Sequence, residues 1–104
     1  MFYLIRATEG QYCGLHGIEA IEIVNCSDYN MANEIGVDMG YELVDSYGLD
    51  YEDDIVENEI YVEAFCIKDE YQPEDGEEND MITTIYNAAL DDFYEAANEY
   101  CVIQ

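Results

Sequence analysis

Acidic side chains dominate this chain so strongly that any structure it adopts must keep most of its surface negative. Aspartate and glutamate total 26 against two lysine and arginine residues, which gives a formal net charge of −24. Such charge is typical of disordered chains, yet 50% of the 104 residues are hydrophobic, 11 are tyrosine and one is proline. The composition therefore predicts a single folded domain, 1–104, with one modest core.

The same charge limits the possible partners. A surface this negative repels nucleic acid and anionic membranes, so we expect it to bind neither. No stretch of about 18 apolar residues occurs that would span a membrane. The chain runs from Met1 straight into a strand-like segment, without a basic leader or a cleavage site. We therefore expect an untargeted cytoplasmic protein.

The four cysteines, Cys13, Cys26, Cys66 and Cys101, lie far apart and form no CxxC pair. This spacing favours reduced thiols packed as small hydrophobic side chains. Cys13 and His16 have the spacing of half a zinc site, and Cys26 could add a third ligand across a hairpin. The alternative is a turn with a partly buried thiol. Metal binding by these three stays open, and no cofactor is predicted.

Hydrophobic periodicity predicts five elements in the order β-β-α-β-α. The strands cover about 2–7, 18–24 and 59–68, and the helices run from a Ser27 cap to about 47 and from about 80 to 100. This order predicts an α+β fold, with a three-stranded, largely antiparallel sheet and two helices on one face.

Two patterns predict how the first helix meets the sheet. Ala32, Gly36 and Gly40 follow at four-residue steps, which lets the helix backbone approach a sheet closely. The alternation in the third strand predicts an inward side made of Ile60, Val62, Ala64 and Cys66.

Catalytic chemistry has little support in the sequence. Histidine occurs once, at His16, and Arg6 and Lys68 are the only basic residues. No nucleophile motif, phosphate loop or nucleotide fingerprint is present. We therefore expect no enzyme and no catalytic residues. Arg6 and Lys68 fall on predicted strands, where each is expected to pair with one of the carboxylates Glu19, Glu22, Glu59 or Glu63.

The acids themselves are arranged in rows on the predicted helices. The first row is Glu34, Asp38 and Glu42, and the second is Asp91, Glu95 and Glu99. Four-residue steps space the carboxylates of a row about 6 Å apart along one side of a helix. Like charges at this spacing destabilise a helix by a few tenths of a kcal/mol per pair, and no lysine is interleaved. Helix stability does not explain the rows, so we assign them to partner binding.

Two predicted acidic loops extend this partner-binding surface. The first contributes Asp50, Asp53 and Asp54, and the second Glu74, Asp75, Glu77 and Glu78. A compact domain of this length is about 33 Å across, and B-DNA of that length carries about 20 phosphates. The net charge thus approaches that of a DNA duplex, and the many tyrosines can stack on arginine.

In its composition, carboxylate rows and acidic loops, the chain resembles the small, intensely acidic DNA-mimic proteins of phages and mobile elements, which include anti-restriction and anti-CRISPR inhibitors. These proteins share no common motif, so no residue role is carried over. The resemblance implies a stoichiometric inhibitor of a basic nucleic-acid-binding protein, above all an anti-CRISPR that blocks the DNA groove of a CRISPR nuclease. Another bacterial defence enzyme is the other implied target. A phage-encoded inhibitor would act in the host cytoplasm.

Two other interpretations remain. The chain could be an acidic interaction module or an antitoxin-like partner of a basic protein. It could also be a halophilic or very soluble domain, although salt adaptation does not require 11 tyrosines.

Overall fold

The computed structural model describes residues 1–9, 19–46, 60–72 and 80–102. Its strands and longer helices are β1 Phe2–Glu9, β2 Glu19–Asn25, α1 Tyr29–Ser46, β3 Ile60–Cys66, α2 Asp80–Asp91 and α3 Phe93–Tyr100. A 3-10 turn, Asp69–Tyr71, follows β3. The α+β class and the order of the predicted elements are confirmed.

The sheet has the order β2-β1-β3, and β1 pairs antiparallel with both neighbours. Tyr3 stands opposite Val24 of β2 and Cys66 of β3. The centre of β1 is fully enclosed, because Leu4 and Ile5 are both 0% exposed. Its run of aromatic and branched side chains suits a central strand that is covered on two sides.

The helices cover both faces of the sheet, which corrects the prediction of two helices on one face. Tyr3, Ile5 and Ala7 pack in a cluster with Ala32 and Met39 of α1. A second cluster, on the opposite face, joins Leu4 of β1 and Ile21 of β2 to Ile85, Ala89, Phe93, Ala96 and Ala97 of α2 and α3. Successive residues of a strand point to opposite faces, and β1 is apolar in both directions. A single helical layer would have left one of these faces open to water.

Helix α1 approaches β3 closely through two glycines, as predicted. A Cβ placed on Gly36 would collide with Cγ1 of Val62 and lie 3.1 Å from Cγ2 of Ile5. A Cβ on Gly40 would collide with Cγ2 of Ile60. The inward direction predicted for Ile60 and Val62 is therefore confirmed.

The helix ends differ from the predictions at two points. Asp28, not Ser27, caps α1, because its Oδ1 accepts a hydrogen bond from Met31 N at 2.9 Å. The last predicted helix is divided at Asp92, whose extended backbone, φ −154° and ψ 101°, ends α2 and begins α3. The Asp92 side chain accepts a hydrogen bond from Glu95 N at 3.1 Å, which makes it the N-cap of α3.

None of the helices in these described ranges is long and apolar enough to cross a membrane.

Burial of one thiol makes the stability of the fold sensitive to alkaline pH. Cys101 is 1% exposed, and burial raises the pKa of its thiol from 9.0 to about 12. The native state therefore holds this proton more tightly than the unfolded chain, so the stabilisation is complete below about pH 9 and is lost as the pH rises towards 12. Burial also raises the pKa of Tyr3 and Cys26.

We expect the free energy of unfolding, measured by urea titration, to fall between about pH 9 and 12. Cys101→Ala removes one of the titrating groups, so its stability should decline less steeply over this range, whatever its stability at pH 7. Equal slopes for the two proteins would show that the Cys101 thiol does not contribute.

Candidate partner-binding surface

The first carboxylate row lies along the outer side of α1. Glu34, Asp38 and Glu42 are all exposed, whereas Ala32 and Met39 on the other side of the helix are buried against the sheet. The sheet holds the apolar side of α1 and thereby turns this row to solvent. We refer to Glu34, Asp38 and Glu42 as the α1 row.

The second row is exposed too, but it does not lie on one continuous helix. Asp91 ends α2, whereas Glu95 and Glu99 belong to α3, which begins after the break at Asp92. Together these four acids line a depression of about 180 Å³, with Ala88 and Ala96 as its small apolar members. We call this depression, lined by Ala88, Asp91, Asp92, Glu95, Ala96 and Glu99, the α2–α3 corner.

The corner contains one acid that the sequence analysis missed. Asp92 is not part of the predicted row, but its role as N-cap fixes the helix break that brings the other acids to the depression. A signal for it is present in the sequence, since Asp92 is followed three residues later by Glu95, the spacing of a capping box. This pair indicates a helix start inside the apparently continuous pattern.

The two rows lie on opposite sides of the molecule. The α1 row belongs to the helix over Ile5, and the corner belongs to the helices over Leu4, which points through the other face of the sheet. A flat partner surface can therefore contact one of them at a time, whereas contact with both requires a groove that surrounds the protein. The predicted acids of the two loops, Asp50, Asp53 and Asp54 and Glu74, Asp75, Glu77 and Glu78, lie outside the described residues.

The single arginine is enclosed and does not offset these rows. Arg6 Nε lies 3.1 Å from Glu19 Oε2, without a hydrogen bond between them, and Arg6 Nη1 lies 3.6 Å from Glu63 Oε1. Its guanidinium carbon also lies 5.3 Å from the ring centre of Phe93 and 5.5 Å from that of Tyr94. The predicted pairing of Arg6 with carboxylates on the neighbouring strands is thus confirmed. The two carboxylates balance the positive charge of Arg6 inside the fold, where its side chain is 16% exposed.

Tyr94 completes this arginine cluster. Its hydroxyl donates a hydrogen bond to Glu63 Oε1 at 3.1 Å, and this bond is the main cause of the raised pKa of Tyr94. The phenol therefore keeps its proton at neutral pH and holds the carboxylate that also faces Arg6. The cluster fixes the first turn of α3 to β3 and thereby positions the α2–α3 corner.

The side chain of the single lysine bonds to the backbone at the end of α3. Lys68 Nζ donates to the carbonyl oxygen of Glu99 at 3.3 Å. Among the described residues it forms no ion pair with the expected partners Glu19, Glu22 or Glu63, and Glu59, the fourth expected partner, lies outside them. None of the carboxylates in the α1 row or the corner forms an ion pair with Arg6 or Lys68. Within the described residues both rows therefore present their full negative charge.

The described residues contain no group of three or more side chains suited to hold a metal ion. Cys26 is buried, with its Sγ 3.6 Å from the carbonyl oxygen of Val24, and burial raises the pKa of its thiol. It is therefore a protonated core side chain at neutral pH. Cys13 and His16, the other two candidates, lie outside the described residues.

Comparison with known proteins adds no relative: no family model matches the chain, and no curated protein or solved structure is significantly similar to it.

Proposed function

We propose that this protein is a stoichiometric inhibitor that acts as a nucleic-acid mimic, above all an anti-CRISPR that occupies the DNA-binding groove of a CRISPR effector. The observation that supports the proposal is the pair of exposed carboxylate rows, the α1 row and the α2–α3 corner, which Arg6 and Lys68 leave uncompensated. A positive groove built for phosphates is the electrostatic complement of such rows.

The density of charge also supports this function. The Cα atoms span 42 Å along the longest axis, and B-DNA of that length carries about 25 phosphates. The net charge of −24 is therefore close to that of the duplex the protein would replace. In this proposal the protein performs no catalysis, binds no cofactor and acts in the cytoplasm, where its basic target works.

The acidic interaction module is the alternative, and one observation favours it. Since the α1 row and the corner lie on opposite sides of the sheet, a basic partner can bind one of them without entering a groove. Such a partner need not release its nucleic acid. Displacement of DNA therefore distinguishes the two functions.

The test is a competition experiment on a CRISPR effector loaded with labelled duplex DNA. We expect the protein to release the duplex at about one equivalent, and its apparent affinity to fall at least about 100-fold between 50 and 200 mM salt, because phosphate-like contacts are strongly screened. Binding without release of DNA would support the interaction module instead. Affinity that is independent of salt would contradict mimicry by charge.

A further inference from the structure

Helix α1 begins with two side-chain contacts that run in opposite directions. Asp28, its N-cap, accepts a hydrogen bond from Met31 N at 2.9 Å. The side chain of Met31 reaches back, and its Sδ accepts from Ser27 N and from Ser27 Oγ, each at 3.5 Å. In a capping box the residue three positions after the N-cap likewise bonds back to the chain that leads into the helix. The first turn of α1 therefore resembles a capping box whose returning bond is shifted by one residue.

The type of residue that makes the returning bond is unusual. Capping boxes carry glutamate or glutamine at this position, and the side-chain oxygen of either residue is a strong acceptor. The thioether sulfur of Met31 is a weak acceptor, so the N–H and the hydroxyl of Ser27 share a poor partner. An oxygen atom on this sulfur would supply the acceptor that the box lacks.

The sulfur of Met31 is also accessible to small oxidants. Met31 is 42% exposed, whereas Met39, on the side of α1 that faces the sheet, is 5% exposed and packs in the cluster around Ile5. Met81 is half-buried against the cluster on the other face. Met1 is exposed and provides a reference for the rate at which an open thioether reacts. Because oxidation requires access to the sulfur, we expect Met31 to react before Met39 and Met81.

We propose that Met31 is a site of reversible oxidation, at which hydrogen peroxide converts the thioether to a sulfoxide and thereby completes the cap of α1. A lone pair of the sulfur attacks one peroxide oxygen, so that an S–O bond forms as the O–O bond breaks. The sulfur loses two electrons, and the second oxygen leaves as water after it takes the proton of the oxygen transferred. The sulfoxide oxygen then accepts the hydrogen bonds of Ser27 N and Ser27 Oγ in place of the sulfur.

The effect of this oxidation on the fold is opposite to the usual one. A sulfoxide is polar and disrupts a core in which the methionine was packed. At Met31 the new oxygen meets two donors at the start of a helix instead of an apolar cluster. The α1 row begins with Glu34, three residues later and on the same side of the helix, so oxidation strengthens the turn that precedes the row. The inference does not depend on the proposed function, which is measured separately by the release of duplex DNA.

The test is hydrogen exchange at the Ser27 amide, measured by NMR before and after mild treatment with hydrogen peroxide. Peptide mass mapping should show the sulfoxide at Met1 and Met31 before Met39 and Met81. We expect exchange at Ser27 to slow at least about threefold, and reduction by the two methionine sulfoxide reductases to restore the original rate. Unchanged or faster exchange at Ser27 in protein oxidised at Met31 would overturn the inference, and so would oxidation of Met39 ahead of Met31.

Two variants separate the new oxygen from other effects of the oxidant. Met31→Leu has no acceptor at this position and retains Met1, so peroxide should leave exchange at Ser27 unchanged. Met31→Gln carries a side-chain oxygen from the start and should slow exchange at Ser27 at least about threefold without any oxidant. Slower exchange in the oxidised leucine variant, or no slowing in the glutamine variant, would show that an acceptor at residue 31 is not the cause and would overturn the inference.

Discussion

Conversion of Asp91, Glu95 and Glu99 together to lysine is expected to abolish the displacement of DNA by this protein, with a loss of affinity for the effector of about 100-fold or more. These residues and Asp92 line one depression, so reversal places three cations where the groove of the partner is itself cationic. Like charges that meet across an interface cost several kcal/mol, slow association and speed dissociation. The measurement is the release of labelled duplex DNA from the loaded effector as the variant is added.

The matched control is the reversal of Glu34, Asp38 and Glu42 in the α1 row. Each substitution replaces a negative charge by a positive one, so both triple variants change the net charge from −24 to −18. Because the two rows lie on opposite sides of the sheet, we expect the control to retain most of its affinity. Variants with asparagine and glutamine at the corner should fall between the natural protein and the lysine variant.

Other results for these two triple variants would change the proposed function. Equal losses in the two variants would mean that the groove surrounds the protein and contacts both rows, or that the total charge rather than one defined surface determines binding. No loss in either would mean that the rows serve solubility. Circular dichroism should show the natural fold in both, because the substituted side chains are exposed and the reversal lowers the self-repulsion of the protein by reducing its net charge from −24 to −18.

Gly36→Val is expected to lower the free energy of unfolding by about 3 kcal/mol or more, as measured by urea titration. A valine side chain here has to occupy space filled by Val62 and by Ile5, which is 0% exposed. Helix α1 would have to move away from the sheet, and the cluster around Ile5 would lose its packing. The gain in helix propensity on replacing glycine is below about 1 kcal/mol and does not compensate.

Two further variants isolate the cause of this effect. Asn33→Val introduces the same valine side chain at an exposed position of α1 and should alter the free energy of unfolding by less than about 0.5 kcal/mol. Val62→Ala removes the atom that meets Gly36, so in the double variant the Gly36→Val substitution should cost less than it does alone. A Gly36→Val protein as stable as the natural one would contradict the close approach of α1 to β3.

Local patterns predicted the parts of the fold that depend on neighbouring residues. The four-residue spacing of Gly36 and Gly40 predicted the close helix–sheet contact, and the alternation of Ile60 and Val62 predicted the face of β3 that receives it. These signals are carried by the periodicity of a single element. They do not depend on which other element packs there.

The missed features depend on contacts between distant residues or on a competing local signal. Whether one or both faces of the sheet are covered is decided by the fully buried Leu4 and Ile5, which point in opposite directions. The break at Asp92 is hidden in the sequence because the apolar stripe continues across it, although Asp92 and Glu95 have the spacing of a capping pair. The sequence limits the carboxylate partners of Arg6 to a few candidates. It does not reveal where α3 packs, and therefore does not predict that the rings of Phe93 and Tyr94 lie beside the guanidinium.

The enclosure of Arg6 also affects how the protein is degraded. Proteases that cut after basic residues have two sites in this chain, Arg6 and Lys68. Arg6 lies in the central strand, and the backbone of Lys68 is bonded on both sides, to Tyr100 O at 2.9 Å and from Tyr71 N at 2.9 Å. Cleavage needs an extended, accessible segment, and neither site offers one until the sheet opens. The lifetime of the protein against such proteases is therefore set by its unfolding, so the core around β1 determines how long the acidic surface persists.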